Sequence, residues 1–192
     1  MFAGNTPITR AATALGVAAF AMIGSASGSA TAAPAATLYT ETSLNQPSSL
    51  ASNLSGSVVA APPNAGDPLQ RWHAHLRTIT LSNGQTVDGW QLENAATHRC
   101  ITDVGADLQV KELACSAAPT AATQQVWQNL KPRQVNGKTY WFWENPTNQR
   151  RLQVGIPTSG QLPTFKVIAA TKHGSPGSAL EKLQLWNENV IS

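Results

Sequence analysis

Hydrophobic residues in this chain occur in short runs rather than in a helical pattern. Beyond residue 37, segments of Val, Thr, Leu and aromatic residues are separated by Gly, Pro and Asn, and no sustained helical spacing is present. The 12 Pro residues and the low content of Lys and Glu also argue against a helical bundle. The pattern predicts an all-β domain of about ten to twelve strands.

Two Asn-Gly pairs mark sharp reversals between such runs. Asn83-Gly84 and Asn136-Gly137 each separate two segments of strand-forming residues. Because Asn and Gly tolerate the positive φ that a type I′ turn requires, each pair predicts a β-hairpin.

The sequence around these turns is repeated. QRWHAHLRTITLSNGQTVDGWQLEN (70–94) and QVWQNLKPRQVNGKTYWFWEN (125–145) both begin with Gln-x-Trp, continue with Asn-Gly and a Trp, and end in Glu-Asn. ENAATHRCITDV (93–104) then aligns with ENPTNQRRLQV (144–154), so that Cys100 aligns with Arg151. A third Gln-x-Trp ends the series, and the three units are Gln70-Arg71-Trp72, Gln125-Val126-Trp127 and Gln184-Leu185-Trp186.

Burial explains why such a unit recurs. A single small β unit cannot bury its apolar face, whereas several units can close a barrel around a shared core. We expect Trp72, Trp127 and Trp186 to fill that core, and the three Gln side chains to bind turn backbone. The first copy, near residues 43–60, is the least regular of the three.

The N-terminus has the features of a secretory signal peptide. Residues 1–32 contain one Arg, an apolar run over 11–24 that is too short for a transmembrane helix, and a final Ala30-Thr31-Ala32. We therefore expect a secreted, extracellular protein with a short linker over 33–36 and one domain over 37–192. A retained N-terminal anchor is the alternative.

Cys100 and Cys115 are the only cysteines. In an exported protein such a pair predicts a disulfide, which stabilises the fold by roughly 3 kcal/mol; two free buried thiols are the alternative. His73-x-His75 is the only close pair of histidines, and two imidazoles do not complete a zinc site. The sequence accordingly predicts no metal and no cofactor.

The charge of the chain is mild. A net charge of +3 is too small for nucleic-acid binding through counterion release, so nucleic acid is not an expected partner. A local group of cations is more typical of a solvated face, with an anionic surface ligand as the alternative. This group comprises Lys131, Arg133, Lys138, Arg150 and Arg151.

From about Thr37 to Ser192, the Gln-x-Trp units and the cysteine pair resemble the ricin B-type β-trefoil lectins. Repeats in that family carry Asn-x-x-Ser-x-x-Cys-Leu-Asp-Val and end in Gln-x-Trp. The resemblance implies a β-trefoil in which three four-stranded repeats close a barrel, and it implies carbohydrate binding. In architecture alone the chain is also similar to the binding subunits of cytolethal distending toxins.

Sugar sites in the family use an Asp of the Cys-Leu-Asp-Val stretch, an aromatic before the second Cys and an Asn beside Gln-x-Trp. The second repeat has Thr102 at the Asp position, followed by Asp103. Leu113 takes the place of the aromatic and Gln124 that of the Asn. The resemblance therefore implies largely degenerate sites, with Asp103, Glu112 and Gln124 as the best remnant.

The segment YWFW, from Tyr140 to Trp143, offers a different surface. On a strand, Tyr140 and Phe142 face one side while Trp141 and Trp143 face the other. Because one set of rings is expected outside the core, Trp141 and Trp143 are candidate ligand-binding residues. Loops that cover both faces are the alternative.

These features favour a secreted, non-enzymatic module that binds a carbohydrate or glycoconjugate. The alternative is a protein-interaction or toxin-delivery subunit that uses the trefoil as a scaffold and has a co-secreted protein as its partner. No nucleophile motif, metal-ligand set or paired carboxylate spacing indicates an enzyme.

Overall fold

The computed structural model describes residues 37–44, 48–118, 122–155, 165–172 and 175–191, so the predicted signal peptide and linker lie outside the described residues. The described part is built from strands, which confirms the all-β prediction. They are β1 (Leu38–Ser43), β2 (Ser49–Ser52), β3 (Val58–Ala61), β4 (Trp72–Thr80), β5 (Thr86–Asn94), β6 (Arg99–Thr102), β7 (Lys111–Ala114), β8 (Val126–Val135), β9 (Lys138–Glu144), β10 (Arg151–Val154), β11 (Phe165–Ala170) and β12 (Leu185–Ile191). Helix is limited to 3-10 turns at Pro68–Gln70 and Ala122–Gln124 and to α1 (Ala179–Lys182) within the same residues.

Six of the strands close a barrel. β1 pairs with β4, and the pairing continues through β5, β8, β9 and β12 back to β1. The other six form three hairpins, β2–β3, β6–β7 and β10–β11, which touch one another through the β3–β11 pairing and two isolated bridges. Each repeat thus supplies four strands, and the predicted β-trefoil is confirmed.

The three repeats also share their register. In each, the first strand pairs with the second at the same point, which is Thr42–Ser49, Glu93–Cys100 and Glu144–Arg151 in turn. This correspondence makes residues comparable between repeats even where the sequence differs, as it does in the first one.

Both Asn-Gly pairs lie in hairpins, but they form different turns. Asn136 and Gly137 have φ of 50° and 75° in a two-residue type I′ loop. The other loop is longer: Gly84 alone has positive φ, 81°, and its N–H donates to Leu81 O. The type I′ expectation is therefore wrong for Asn83-Gly84, because the additional loop residue needs only one left-handed position.

The disulfide between Cys100 and Cys115 is present, with a Cα–Cα distance of 5.0 Å, and this prediction is confirmed. It joins β6 to the segment after β7 across a separation of 15 residues. We expect reduction to lower the free energy of unfolding by about 3 kcal/mol, because a loop of this size gains entropy in the unfolded chain. Urea denaturation with and without reductant measures this.

The double variant Cys100→Ser/Cys115→Ser is the control. It should unfold at the midpoint of the reduced protein and should not respond to reductant. Equal midpoints for the oxidised and reduced wild-type chain would contradict the prediction.

Candidate functional site

The Gln-x-Trp side chains make equivalent hydrogen bonds in all three repeats. Each indole is fully buried and donates Nε1–H, at 3.0–3.2 Å, to the second strand of its own repeat: Trp72 to Leu50 O, Trp127 to Ile101 O and Trp186 to Leu152 O. Each Gln Nε2 donates, at 2.9–3.1 Å, to a carbonyl at or just after the end of the third strand: Gln70 to Pro62, Gln125 to Ala114 and Gln184 to Thr171. The Gln and Trp side chains hold each hairpin to the barrel and are too deeply buried to contact a ligand.

Aromatic residues on the first strand of each repeat form a second set that the sequence comparison missed. Tyr39, Trp90 and Trp141 are each half-buried, and each pairs with the Trp of a Gln-x-Trp unit. Trp141 is therefore one member of a threefold set. The repeat register was the signal that could have revealed it, but the irregular first copy hid Tyr39.

Asp103, the best carboxylate of the sugar-site remnant, is buried and bonded within the protein. Its Oδ2 accepts from Asn148 Nδ2 at 2.7 Å and from Arg150 Nε at 2.8 Å, and its Oδ1 accepts from Gly105 N at 2.9 Å. The carboxylate ties the second repeat to the loop after β9. The ligand role expected of Asp103 does not fit this position.

Glu112 is also buried, but its Oε1 has no hydrogen-bond partner among the described residues. Its Oε2 accepts from Ser52 Oγ at 2.7 Å and from Thr97 Oγ1 at 3.3 Å, and it links the first two repeats. Burial raises the pKa of this carboxyl although both hydroxyls favour its charged form. The sugar contact expected of Glu112 does not fit this buried position either.

Gln124 is exposed, but the other residues of the family's sugar site do not accompany it. Leu113 is 42% exposed where the stacking aromatic is expected, and an aliphatic side chain offers no flat ring. The structure thus does not bring Asp103, Glu112 and Gln124 together as a sugar site.

The YWFW segment is buried at Phe142 and Trp143, one on each face, and is half-buried at Tyr140 and Trp141. Trp143 is 2% exposed and packs in the barrel core, so the structure corrects its assignment as a ligand-binding residue. Phe142, on the opposite face, is buried under Arg151, whose guanidinium carbon lies 3.9 Å from the ring centroid. Trp141 is half-buried in the threefold set described above.

A salt-bridge network replaces the disulfide in the third repeat. Glu144 accepts from Arg151 Nε at 3.1 Å and from Lys172 Nζ at 3.0 Å. By strand register, Arg151 stands where Cys100 does, and Lys172 stands where Cys115 does. An ionic bridge therefore joins the two chain segments that a covalent bond joins in the second repeat.

An open groove with a volume of about 470 Å³ lies beside this network. Four amide side chains project along it, namely Asn83, Gln85, Gln128 and Gln149. Glu144 and Lys172 also line it, with Leu81, Val87 and Pro146 as apolar wall. We call this feature the amide groove. Its chemistry is rich in paired donors and acceptors and poor in net charge.

A smaller pocket of about 160 Å³ adjoins the amide groove at Gln128, which lines both. It contains the half-buried ring of Trp90, the polar side chains of Asp88 and Asn129, and Leu76, which is 61% exposed. An aromatic ring next to planar polar groups can contact both the apolar and the hydroxyl-bearing parts of a pyranose.

Within the described residues, no group of three His, Cys, Asp or Glu side chains is arranged to hold a metal ion. His75 Nε2 and His98 Nδ1 instead lie 3.0 Å from the two oxygens of Glu93. Burial raises the pKa of Glu93, but the two histidines outweigh it and the pKa is lowered. No helix in the described part of the chain combines the length and apolarity needed to cross a membrane.

No family model and no curated protein matches the chain. Solved structures do. A designed threefold-symmetric protein, ThreeFoil, has 14% identity and a TM-score of 0.53 over 79% of this chain and 96% of its own. A ricin B-like lectin of Macrolepiota procera in complex with lactose has 14% identity and a TM-score of 0.54 over 79% and 94%.

A mosquitocidal holotoxin is similar at 14% identity with a TM-score of 0.58, over 82% of this chain but only 18% of the toxin. At these identities the likeness concerns the fold. Together with the closed barrel, the three capping hairpins and the repeated Gln-x-Trp contacts, it identifies the chain as a β-trefoil of the architecture found in the ricin B-like lectins.

Proposed function

We propose that this protein is a secreted, non-enzymatic carbohydrate-binding module whose site is the amide groove and its adjoining Trp90 pocket. The observation that carries the proposal is the set of four amides around one groove. An amide offers a donor and an acceptor in one plane, which matches the neighbouring hydroxyls of a sugar. Trp90 adds a ring at one end for the apolar face of a pyranose.

Two further features support extracellular carbohydrate binding. The signal-peptide features of residues 1–32 and the disulfide both suit export to an oxidising compartment. The trefoil fold is shared with a lectin whose structure contains lactose. Asp103 and Glu112 do not line the groove, so this proposal places the ligand outside the positions that the family resemblance implied.

Glycan-array binding, followed by titration of the best ligand, tests the proposal. We expect Gln85→Ala/Gln149→Ala to weaken binding about tenfold or more, because each lost amide removes hydrogen bonds worth about 1 kcal/mol. Both side chains are exposed, so the fold should be unaffected. Gln134→Ala is the matched control, since Gln134 is an exposed amide at the β8–β9 turn and does not line the groove.

A Gln124→Ala variant separates the two possible locations. Loss of binding in Gln124→Ala alone would contradict the amide groove as the ligand site. It would instead support the sugar-site remnant of the second repeat. Absence of binding to every glycan by folded protein would contradict the carbohydrate function itself.

A second candidate function is a protein-interaction or delivery subunit. Val104 and Leu108 are 39% and 54% exposed in one loop between β6 and β7, and they offer an apolar contact to a protein partner. One of the similar structures is a toxin, of which the matched part is a small fraction. A protein that binds no glycan on the array would favour this alternative.

A further inference from the structure

A third cavity, distinct from the amide groove, is strongly cationic. Its volume is about 250 Å³, and four of its lining side chains are basic: Lys131, Arg133, Arg151 and Lys172. The remaining walls are Phe142, Pro176 and Glu181. We call it the cationic pocket. Of the cations grouped by sequence, Lys138 does not line it, and Arg150 pairs with Asp103.

The carboxylates nearby do not balance this charge. Glu181 pairs with Arg133 at 3.3 Å, and Glu144 is shared between Arg151 and Lys172. No ion pair to Lys131 exists among the described residues. Four cations against two carboxylates leave two positive charges uncompensated.

The guanidinium groups are held in place before any ligand arrives. Arg151 is buried, stacks on Phe142 and donates to Glu144 and Gln184. Arg133 lies over the same ring, with its guanidinium carbon 5.8 Å from the centroid. Stacking restrains the plane of a guanidinium without using its N–H groups, which suits recognition of oxyanions.

A bulge brings Lys131 to the same cavity. The β8–β9 register shifts between Leu130 and Arg133, and Lys131 has a positive φ of 52°. Pro132, which has no N–H for the ladder, lies within this bulge. As a result Lys131 and Arg133 both line the cavity instead of following the strand ladder.

We propose that the cationic pocket binds the oxyanion group, sulfate or phosphate, of an acidic saccharide. The volume is below the roughly 300–1,000 Å³ typical of sites for whole small ligands, so it suits one charged group of a larger molecule. Lys172 lines both this pocket and the amide groove, so the rest of the saccharide can occupy the groove. The placement of the rest of the saccharide in the amide groove rests on the proposed function, whereas the oxyanion site in the cationic pocket does not.

Calorimetric titration with a sulfated oligosaccharide, its desulfated form and inorganic phosphate tests the proposal. We expect the sulfated form to bind at least about tenfold more tightly than the desulfated one at an ionic strength of about 0.1 M. Lys131→Gln should weaken sulfated-ligand binding severalfold without affecting the fold, because Lys131 is exposed and makes no ion pair with a described residue. Lys131→Gln/Arg133→Gln should weaken it further.

Lys138→Gln/Arg99→Gln is the matched control. It also removes one Lys charge and one Arg charge, but from exposed positions outside the pocket. Equal loss in the two double variants would overturn the proposal, because it would show attraction to net charge only. Equal affinity for the sulfated and desulfated forms would overturn it too. Phosphate binding that is lost in Lys131→Gln, with no binding of the desulfated form, would support the oxyanion site and contradict the groove.

Discussion

Stability is expected to fall as the pH rises, and Glu41 is expected to contribute about 5 kcal/mol of this loss between about pH 4 and pH 9. Burial raises the pKa of Glu41 to about 8 from 4.5, and repulsion from Glu188 adds to the effect. The folded state therefore holds a proton that the unfolded state releases near pH 4.5. The contribution of Glu41 to stability is fully present below that pH and is lost as the pH rises through about 8.

The position of Glu41 in the repeat explains its burial. It lies two residues after Tyr39, as Leu92 follows Trp90 and Trp143 follows Trp141. The first repeat thus places a carboxyl at a core position that is apolar in the other two, and Glu41 is 1% exposed. The indole of Trp143 opposes the rise in pKa only weakly, because neither Glu41 Oε2 nor Trp143 Nε1 has a hydrogen bond of ordinary geometry to a described residue.

Urea denaturation at a series of pH values measures the effect. We expect Glu41→Gln to flatten the profile and to be more stable than the wild type above about pH 8, because an amide carries no charge to bury. The pKa of Glu112 and of Glu188 is also raised by burial, so a shallower slope of the same sign should remain. Asp107→Asn, at an exposed position, is the control and should keep the full slope. An unchanged slope in Glu41→Gln would refute this assignment.

The sequence predicted those features that depend on neighbouring residues or on repetition. Asn136-Gly137 contains the two positive φ values of its turn, and three Gln-x-Trp units indicated three lobes of one barrel. Glu41 was not predicted, because its core position becomes visible only when β1 is placed in register with β4. A more regular sequence in the first repeat would have revealed the core position of Glu41.

Functional positions were harder to predict because their environment comes from other repeats. Asp103 resembled a free acceptor, yet Asn148 and Arg150 of the next repeat bond to its carboxylate. Lys172 has no sequence neighbour that indicates a site, but the β10–β11 pairing brings it to Glu144. The charge of a residue and the alternation of side chains along a strand do not show which residue of another repeat will cover that side chain.

Trp143→Ala is expected to lower the free energy of unfolding by about 3–5 kcal/mol, the range for removing a large aromatic from a packed core. The ring is 2% exposed and belongs to the same core cluster as the three Gln-x-Trp indoles, so its loss leaves a cavity in that core. Trp141→Ala should cost less, since Trp141 is only half-buried. Chemical denaturation of the two variants beside the wild type gives both values.

The comparison also separates the two roles considered for this strand. If Trp143 acts through the core, Trp143→Ala lowers the unfolding midpoint, while ligand affinity of the remaining folded protein stays the same. Trp143→Leu, which installs the residue that the second repeat has at this position, should recover part of the lost stability, because Leu92 shows that this core position accepts an aliphatic side chain. Unchanged stability together with lost glycan binding in Trp143→Ala would instead make Trp143 a ligand contact, and the packing described here would be wrong.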